Sequence, residues 1–388
     1  MNLILQQGVM QPTSRKGVTA GKGAASKSAS CFILLAILLA TAACSKALPA
    51  RAEFVLGTVC SINLYEYGSQ KLYSLIFERL REIDRTMGAK EGILHGLEAP
   101  PFQGSLEVQP SFLVLINQNA GIAPVKVSDD LLDVLEKAVY YAEISNGAFD
   151  PTIGPLVNLW GIGTETEKIP EPGEIAQALP LINWQDLIID RGQGTAFLRR
   201  RGMALDLGGI AKGYAADEAV RIVREASASH AIIDLGGNIA AMGTRSASKG
   251  GAAPTPWRIG VQDPLGERNA YIGILSISDK SVVTSGVYER YFESGGRRYH
   301  HILSTTDGYP VDKGLLSVTI VADQSMDADG LSTAVFALGF AQGLELAEKL
   351  PYAEAIFIFA DRSVYITDGL MDSFTLTNDD YTILIPCS

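Results

Sequence analysis

Hydrophobic spacing divides this chain into recognisable elements. Positions 54–64 alternate apolar and polar, predicting a strand interrupted at Gly57. Over 71–83 the period changes. Leu72, Leu75, Ile76, Leu80 and Ile83 then share one face, as in an amphipathic helix. Ser128 precedes a second helical pattern with Asp129 and Asp130 in its first turn, an apolar face of Leu132, Leu135, Ala138, Val139 and Ala142, and a stop at Asn146-Gly147. Further helices are expected over 213–226 and, as a pair, over 327–350. Short apolar runs predict strands at 113–116, 187–190, 196–199, 203–207, 232–235, 257–261, 271–278, 317–321, 355–359 and 363–367. Residues 84–110 and 161–185 read as connections, and the Gly, Ser, Ala and Pro-rich 244–256 as a surface insertion. Strands and helices mix without strict alternation. The expected class is α+β, with largely antiparallel sheets and helices packed outside.

The first 43 residues follow other rules. Four of them are basic (Arg15, Lys16, Lys22, Lys27) and none is acidic, while the whole chain carries −11. Residues 31–43, CFILLAILLATAA, are uncharged and almost wholly apolar. A membrane span needs ~20 such residues, so this run has the length of a signal-peptide core. It ends Thr41-Ala42-Ala43-Cys44, which resembles the lipobox of bacterial lipoproteins, with Thr41 where an aliphatic residue is usual. Residues 1–43 are thus expected to be a signal peptide, Cys44 the lipidated residue, 44–53 a linker and 54–388 the functional domain. An ordinary secretory signal or an uncleaved anchor is the alternative. The expected location is the bacterial cell membrane, lipid-anchored and facing the periplasm or exterior.

The remainder is acidic, which argues against a nucleic-acid partner. Cys60 falls within the first alternating run and reads as a buried strand residue. The cysteines have no metal-type spacing.

Several stretches carry candidate chemistry. LDLGGIAKGYAAD (205–217) runs a strand into Gly208-Gly209 and then a helix, with Lys212 beside the turn. Free N–H groups, close backbone approach and a cation suit a phosphate, although a tight connection would look the same. Neither P-loop nor dinucleotide-fold spacing is present. A second such turn is Asp234-Leu235-Gly236-Gly237-Asn238. NGAFDPTIGPLVNLWGIG (146–163) mixes turn residues with aromatics that could wall a flat ring, with Asp150 as a hydrogen-bond acceptor, or could form a packed loop. In MDADGLSTAVFALG (326–339), Asp329 and Thr333 share a helix face, where a carboxylate and a hydroxyl could hold a hard cation or merely cap the helix. Of the adjacent His300 and His301, strand alternation sends one inward and one to the opposite side. No GxSxG elbow supports a hydrolytic triad.

Together these stretches, with Gly57-Thr58, AIIDLGGNI, WRIGVQDP, SVVTSGVYERYF, RYHHIL and SVTIVADQS, resemble one family in their order: the FAD:protein FMN transferases, or ApbE family. The resemblance covers Phe54 to the C-terminus and agrees with export. It implies that Ala148, Phe149 and Asp150 hold the flavin and that Asp206 and Lys212 line the FAD site. It further implies that Leu56, His301, Ile302 and Leu303 lie beside FAD, and that the Gly209 carbonyl, Asp329 and Thr333 bind Mg²⁺. The implied reaction is Mg²⁺-dependent transfer of FMN from FAD to a Ser or Thr hydroxyl of an acceptor flavoprotein, such as an exported subunit of a membrane redox complex. AMP leaves, and Asp329 or His301 is the base. Two alternatives use the same residues: FAD pyrophosphatase activity giving FMN and AMP, and a flavin-binding lipoprotein without chemistry. The chain departs from the family pattern over Thr86–Ile93, over Ser304–Gly308 and in the 244–256 insertion.

Overall fold

The computed structural model describes residues 48–88, 110–245, 254–267 and 269–384. Cys44, the signal segment, 89–109 and most of the 244–256 insertion lie outside them. No helix among the described residues is long and apolar enough to cross a membrane.

The frame is a nine-stranded sheet. Its strands, in spatial order, are Arg51–Val55, Thr58–Leu64, Ala231–Leu235, Asn238–Met242, Lys280–Gly286, Leu315–Ala322, Ala353–Phe359, Ser363–Ile366 and Thr382–Ile383. Every pair is antiparallel except the last. Residues 51–53, assigned to the linker from sequence, already belong to the first strand. Leu56 and Gly57 both take positive φ, forming the two-residue turn that joins the first two strands.

One face of this sheet carries helices. Gln70–Met87, Ala211–Glu225 and Ser325–Leu338 bury their apolar stripes in a core with Ile62, Ile233, Val283 and Ile320. The other face is covered in part by a three-stranded sheet of Phe374–Leu376, Tyr271–Ile277 and Trp257–Gln262, through a second core that includes Val282, Val321 and Ile356. A third small sheet joins Val125–Lys126, Thr195–Leu198 and Leu187–Asp190. The expected α+β architecture with antiparallel sheets is observed.

Two expected strands are absent. Residues 113–116 lie in a helix, Phe112–Gln118, because the Ser111 hydroxyl accepts the Val114 N–H and starts it. A four-residue apolar run cannot separate the two forms. Residues 203–207 form no strand; Ala204 makes only an isolated bridge to Ile153. Conversely, the loop expected at 146–163 contains the helix Gly154–Trp160, opened by Pro155 and closed by left-handed Gly161. The helical pair appears as Ser325–Leu338 and Phe340–Glu348, broken at Gly339.

Candidate active site

The glycine turn and the acidic helix meet where two helices start. Gly213 lies in the first turn of Ala211–Glu225, and its N–H donates to Asp329 Oδ2 at 2.9 Å. A methyl group on Gly213 would sit 2.6 Å from Met326 Cα and 2.8 Å from Asp329 Cβ, so glycine is required for this approach. In return, Asp217 accepts the Ser325 and Met326 N–H groups at 2.7 and 2.8 Å, capping the acidic helix. Asp329 is 3% exposed. Lys212 Nζ lies 3.8 Å from its other oxygen.

Thr333 is one turn along. A Cβ on Gly209 would be 3.1 Å from Thr333 Oγ1 and 3.1 Å from Phe149 Cε2, so the Gly-Gly turn, Thr333 and Phe149 converge. Ser285 Oγ stands 3.4 Å from Thr333 Oγ1 and 2.9 Å from Ser332 Oγ. Asp206 accepts the Gly208 N–H at 2.8 Å and holds the turn. Leu56 reaches the same cleft from the hairpin, its N–H bonded to Asp84.

Asp150 lines the cleft, but its oxygens are engaged locally. Oδ1 accepts the Thr152 N–H and hydroxyl, and Oδ2 the Trp184 N–H. Its burial outweighs these bonds and raises its pKa. The structure therefore shows Asp150 bracing the loop that presents Ala148 and Phe149.

The two histidines divide as alternation requires. His300 is buried, with Nε2 bonded to the Val311 carbonyl and Nδ1 accepting the Ile302 N–H. His301 lines the cleft with Ile302 and Leu303. Its Nδ1 is 3.2 Å from the Arg290 carbonyl, which also accepts the His301 N–H. A carbonyl accepts only, so Nδ1 carries the proton and Nε2 keeps its lone pair. Desolvation, then the Arg290 charge, lowers the imidazole pKa to about 3.

Leu56, Ala148, Phe149, Asp150, Asp206, Gly209, Lys212, His301, Leu303, Asp329 and Thr333 all line one cleft. Ser285, Tyr288 and Arg290, to which the sequence assigned no role, line it too, as does Asn238 of the second glycine turn. Asn238 is 2% exposed, and its amide nitrogen has no partner. The signal available for it was its place after Gly236-Gly237.

A family model described as the ApbE family matches residues 56–357. The chain belongs to the ApbE family. A Treponema pallidum (strain Nichols) member named FAD:protein FMN transferase is 37% identical over 329 residues, covering 83% of this chain and 87% of its own length. A Klebsiella pneumoniae (strain 342) protein of the same name is 37% identical over 269 residues, 69% of this chain and 81% of its own. An ApbE protein of Thermotoga maritima has a similar crystal structure, with a TM-score of 0.69 at 30% identity, covering 83% of this chain and 97% of that one. The Vibrio cholerae flavin transferase ApbE matches with a TM-score of 0.68 at 26% identity, over 87% of this chain and 99% of its own.

Proposed function

We propose that this enzyme moves the FMN half of FAD onto a Ser or Thr hydroxyl of an acceptor flavoprotein, with Mg²⁺ bound and AMP released. Family membership makes it a flavin-transferring enzyme. The observation that carries the finer chemistry is the convergence of a buried carboxylate, a hydroxyl and a glycine turn at Asp329, Thr333 and Gly209. No cluster of three metal-type side chains occurs among the described residues. One carboxylate plus neutral oxygens nevertheless fits Mg²⁺, which completes its shell with phosphate oxygens and water. When bound, the ion would draw charge from the pyrophosphate.

The chain's own residues supply the rest. Phe149 sets a ring-edge carbon beside Gly209, and Lys212 places a cation at the cleft. The acceptor oxygen bonds to the FMN phosphorus, the bond to the AMP oxygen breaks, and the hydroxyl proton goes to a base. Two groups at the cleft present a lone pair for it: Asp329, whose Oδ1 is not used by the Gly213 N–H, and His301 through Nε2.

Export and the lipid anchor at Cys44 belong to the same reading and rest on the first 44 residues. Such a location would place the enzyme beside exported redox subunits. The test is incubation with FAD, Mg²⁺ and an acceptor flavoprotein domain, followed by mass spectrometry. An acceptor heavier by FMN, with equimolar AMP, is expected. AMP with free FMN alone would make the enzyme a pyrophosphatase, and no AMP a flavin carrier.

A further inference from the structure

The lining of the cleft extends well beyond the cluster of Gly209, Asp329 and Thr333. One arm of it is lined by Val59, Ser61, Asp234 and Ile239 of the large sheet and by Ile259 and Val261 of the small one.

Strand register explains this arm. Cys60, Ile62 and Leu64 turn toward the helix-side core, so Val59, Ser61 and Asn63 turn to the opposite face. Ser61 pairs with Asp234, and Asp234 with Ile239, which places them in one row on that face. The three-stranded sheet covers Ala241, Val282, Val321 and Ile356 but stops short of Val59, which is 56% exposed. Its last strand, Trp257–Gln262, sits beside the end of the second strand, where the Tyr65 and Trp257 rings lie 4.7 Å apart.

That last strand pairs only with Tyr271–Ile277. Among the described residues, no backbone group meets its other edge between Trp257 and Gln262. Edge strands are commonly blunted by charge, proline or a covering element. Here Gly260 stands in the middle, and Arg258 is the one charged residue. Ile259 and Val261 turn inward and are buried. The strand runs on to Asp263, which lines the cleft with Tyr288. Two residues beyond Tyr288, the Arg290 carbonyl fixes His301.

A hydroxyl carried on a protein must therefore travel into a site whose carboxylate is almost wholly buried. An extended segment can enter, but its backbone N–H and C=O groups lose water as it does. A free strand edge replaces that water. We infer that the acceptor's attachment segment docks as an added strand on the edge of Trp257–Gln262 that no described residue pairs, above Val59, Ser61 and Ile239. The inference rests on the transferase reading. Alternate side chains of the segment face Val59 and Ile239, so those positions take small or apolar residues.

The test uses the full chain, FAD, Mg²⁺, a flavoprotein domain that it flavinylates, and synthetic peptides of that domain's attachment segment carrying single backbone N-methyl groups. Each removes one hydrogen bond, so methylation at alternate positions should raise the peptide KM about tenfold, and at intervening positions hardly at all. On the enzyme side, Val59→Glu and Gly260→Asp should raise the KM for the whole domain, while FAD affinity, read by flavin fluorescence, stays constant. Equal tolerance of N-methyl groups at every position, or an unchanged domain KM in both variants, would overturn the inference. So would a dimer that Val59→Glu dissolves without altering the domain KM, since a second copy would then own the face. Absence of any adduct with the unmodified domain is a separate result, one that removes the transferase reading itself.

Discussion

Asp217 and Asp329 cap each other's helices. Asp329, in the acidic helix, accepts the Gly213 N–H of the preceding one, and Asp217 returns two bonds to Ser325 and Met326. Each carboxylate lies at the positive end of the other's helix, so both starts are locked in one arrangement. The residue expected to ligate Mg²⁺ is thereby positioned before any ion arrives.

Asp217 should give this lock a pH dependence. Desolvation raises its carboxyl to about 6, against an ordinary 3.8. The folded state then holds the proton more tightly than the unfolded one. Its contribution is full below about pH 4 and is lost as pH rises through about 6. Asp217→Asn removes this slope and one good acceptor, a loss of ~1 kcal/mol for a cap. Urea denaturation at several pH values should show the wild type losing more stability than the variant as pH rises from 4 to 7. Parallel curves would refute the assignment.

Gly213→Ala should loosen the helix crossing. The added methyl would collide with the Ser325 carbonyl and Met326 Cα. Overpacking of this kind costs ~1–3 kcal/mol. Because Asp329 is pushed with it, divalent-ion affinity should fall together with Tm. A variant with normal Tm and normal ion affinity would contradict the crossing described.

His301 should stay neutral throughout the physiological range. With a folded value near 3 and an ordinary one of 6.5, its stabilising effect is present above about 6.5 and lost as pH falls toward 3. Its ring resonances in an NMR titration should not move between pH 8 and 5. Arg290→Gln removes a repelling cation and should raise the value. His301→Gln should lower kcat with little change in FAD affinity. A midpoint near 6.5 in the wild type would exclude the desolvated setting.

Asp329→Asn and Thr333→Val should separate fold from function. Thr333→Val preserves shape and should leave Tm near the wild-type value while weakening Mg²⁺-dependent turnover. Asp329→Asn should reduce turnover by ~10²-fold, the scale for removing one electrostatic contributor at a reacting centre. Full activity in both variants, measured as FMN-labelled acceptor, would remove the ion from this pair.

The sequence made much of this legible, with clear physical limits. The helices at 71–83 and 128–146 were readable because a one-sided core imposes a 3.6-residue period, and the long motifs carried the family. The strand Lys280–Gly286 went unread because it is buried between two cores and lacks alternation. The helix Gly154–Trp160 was hidden among Gly and Pro that in fact cap it. Asp150 lines the cleft as the sequence leads one to expect, but its bond from the Trp184 N–H, 34 residues away, is invisible in one dimension. Ser285 could not be tied to Thr333, because only the crossing of strand and helix brings them together.

Cys60 lies wholly buried in the second strand, its thiol directed to the Val55 carbonyl and, chiefly through desolvation, pushed up to about 12. Almost no thiolate exists at neutral pH, so alkylating reagents and foreign disulfides find nothing to attack while the sheet is closed. The residue is in effect a clock. The rate at which it becomes labelled counts how often the edge of the large sheet comes apart, and binding of substrate should slow that count.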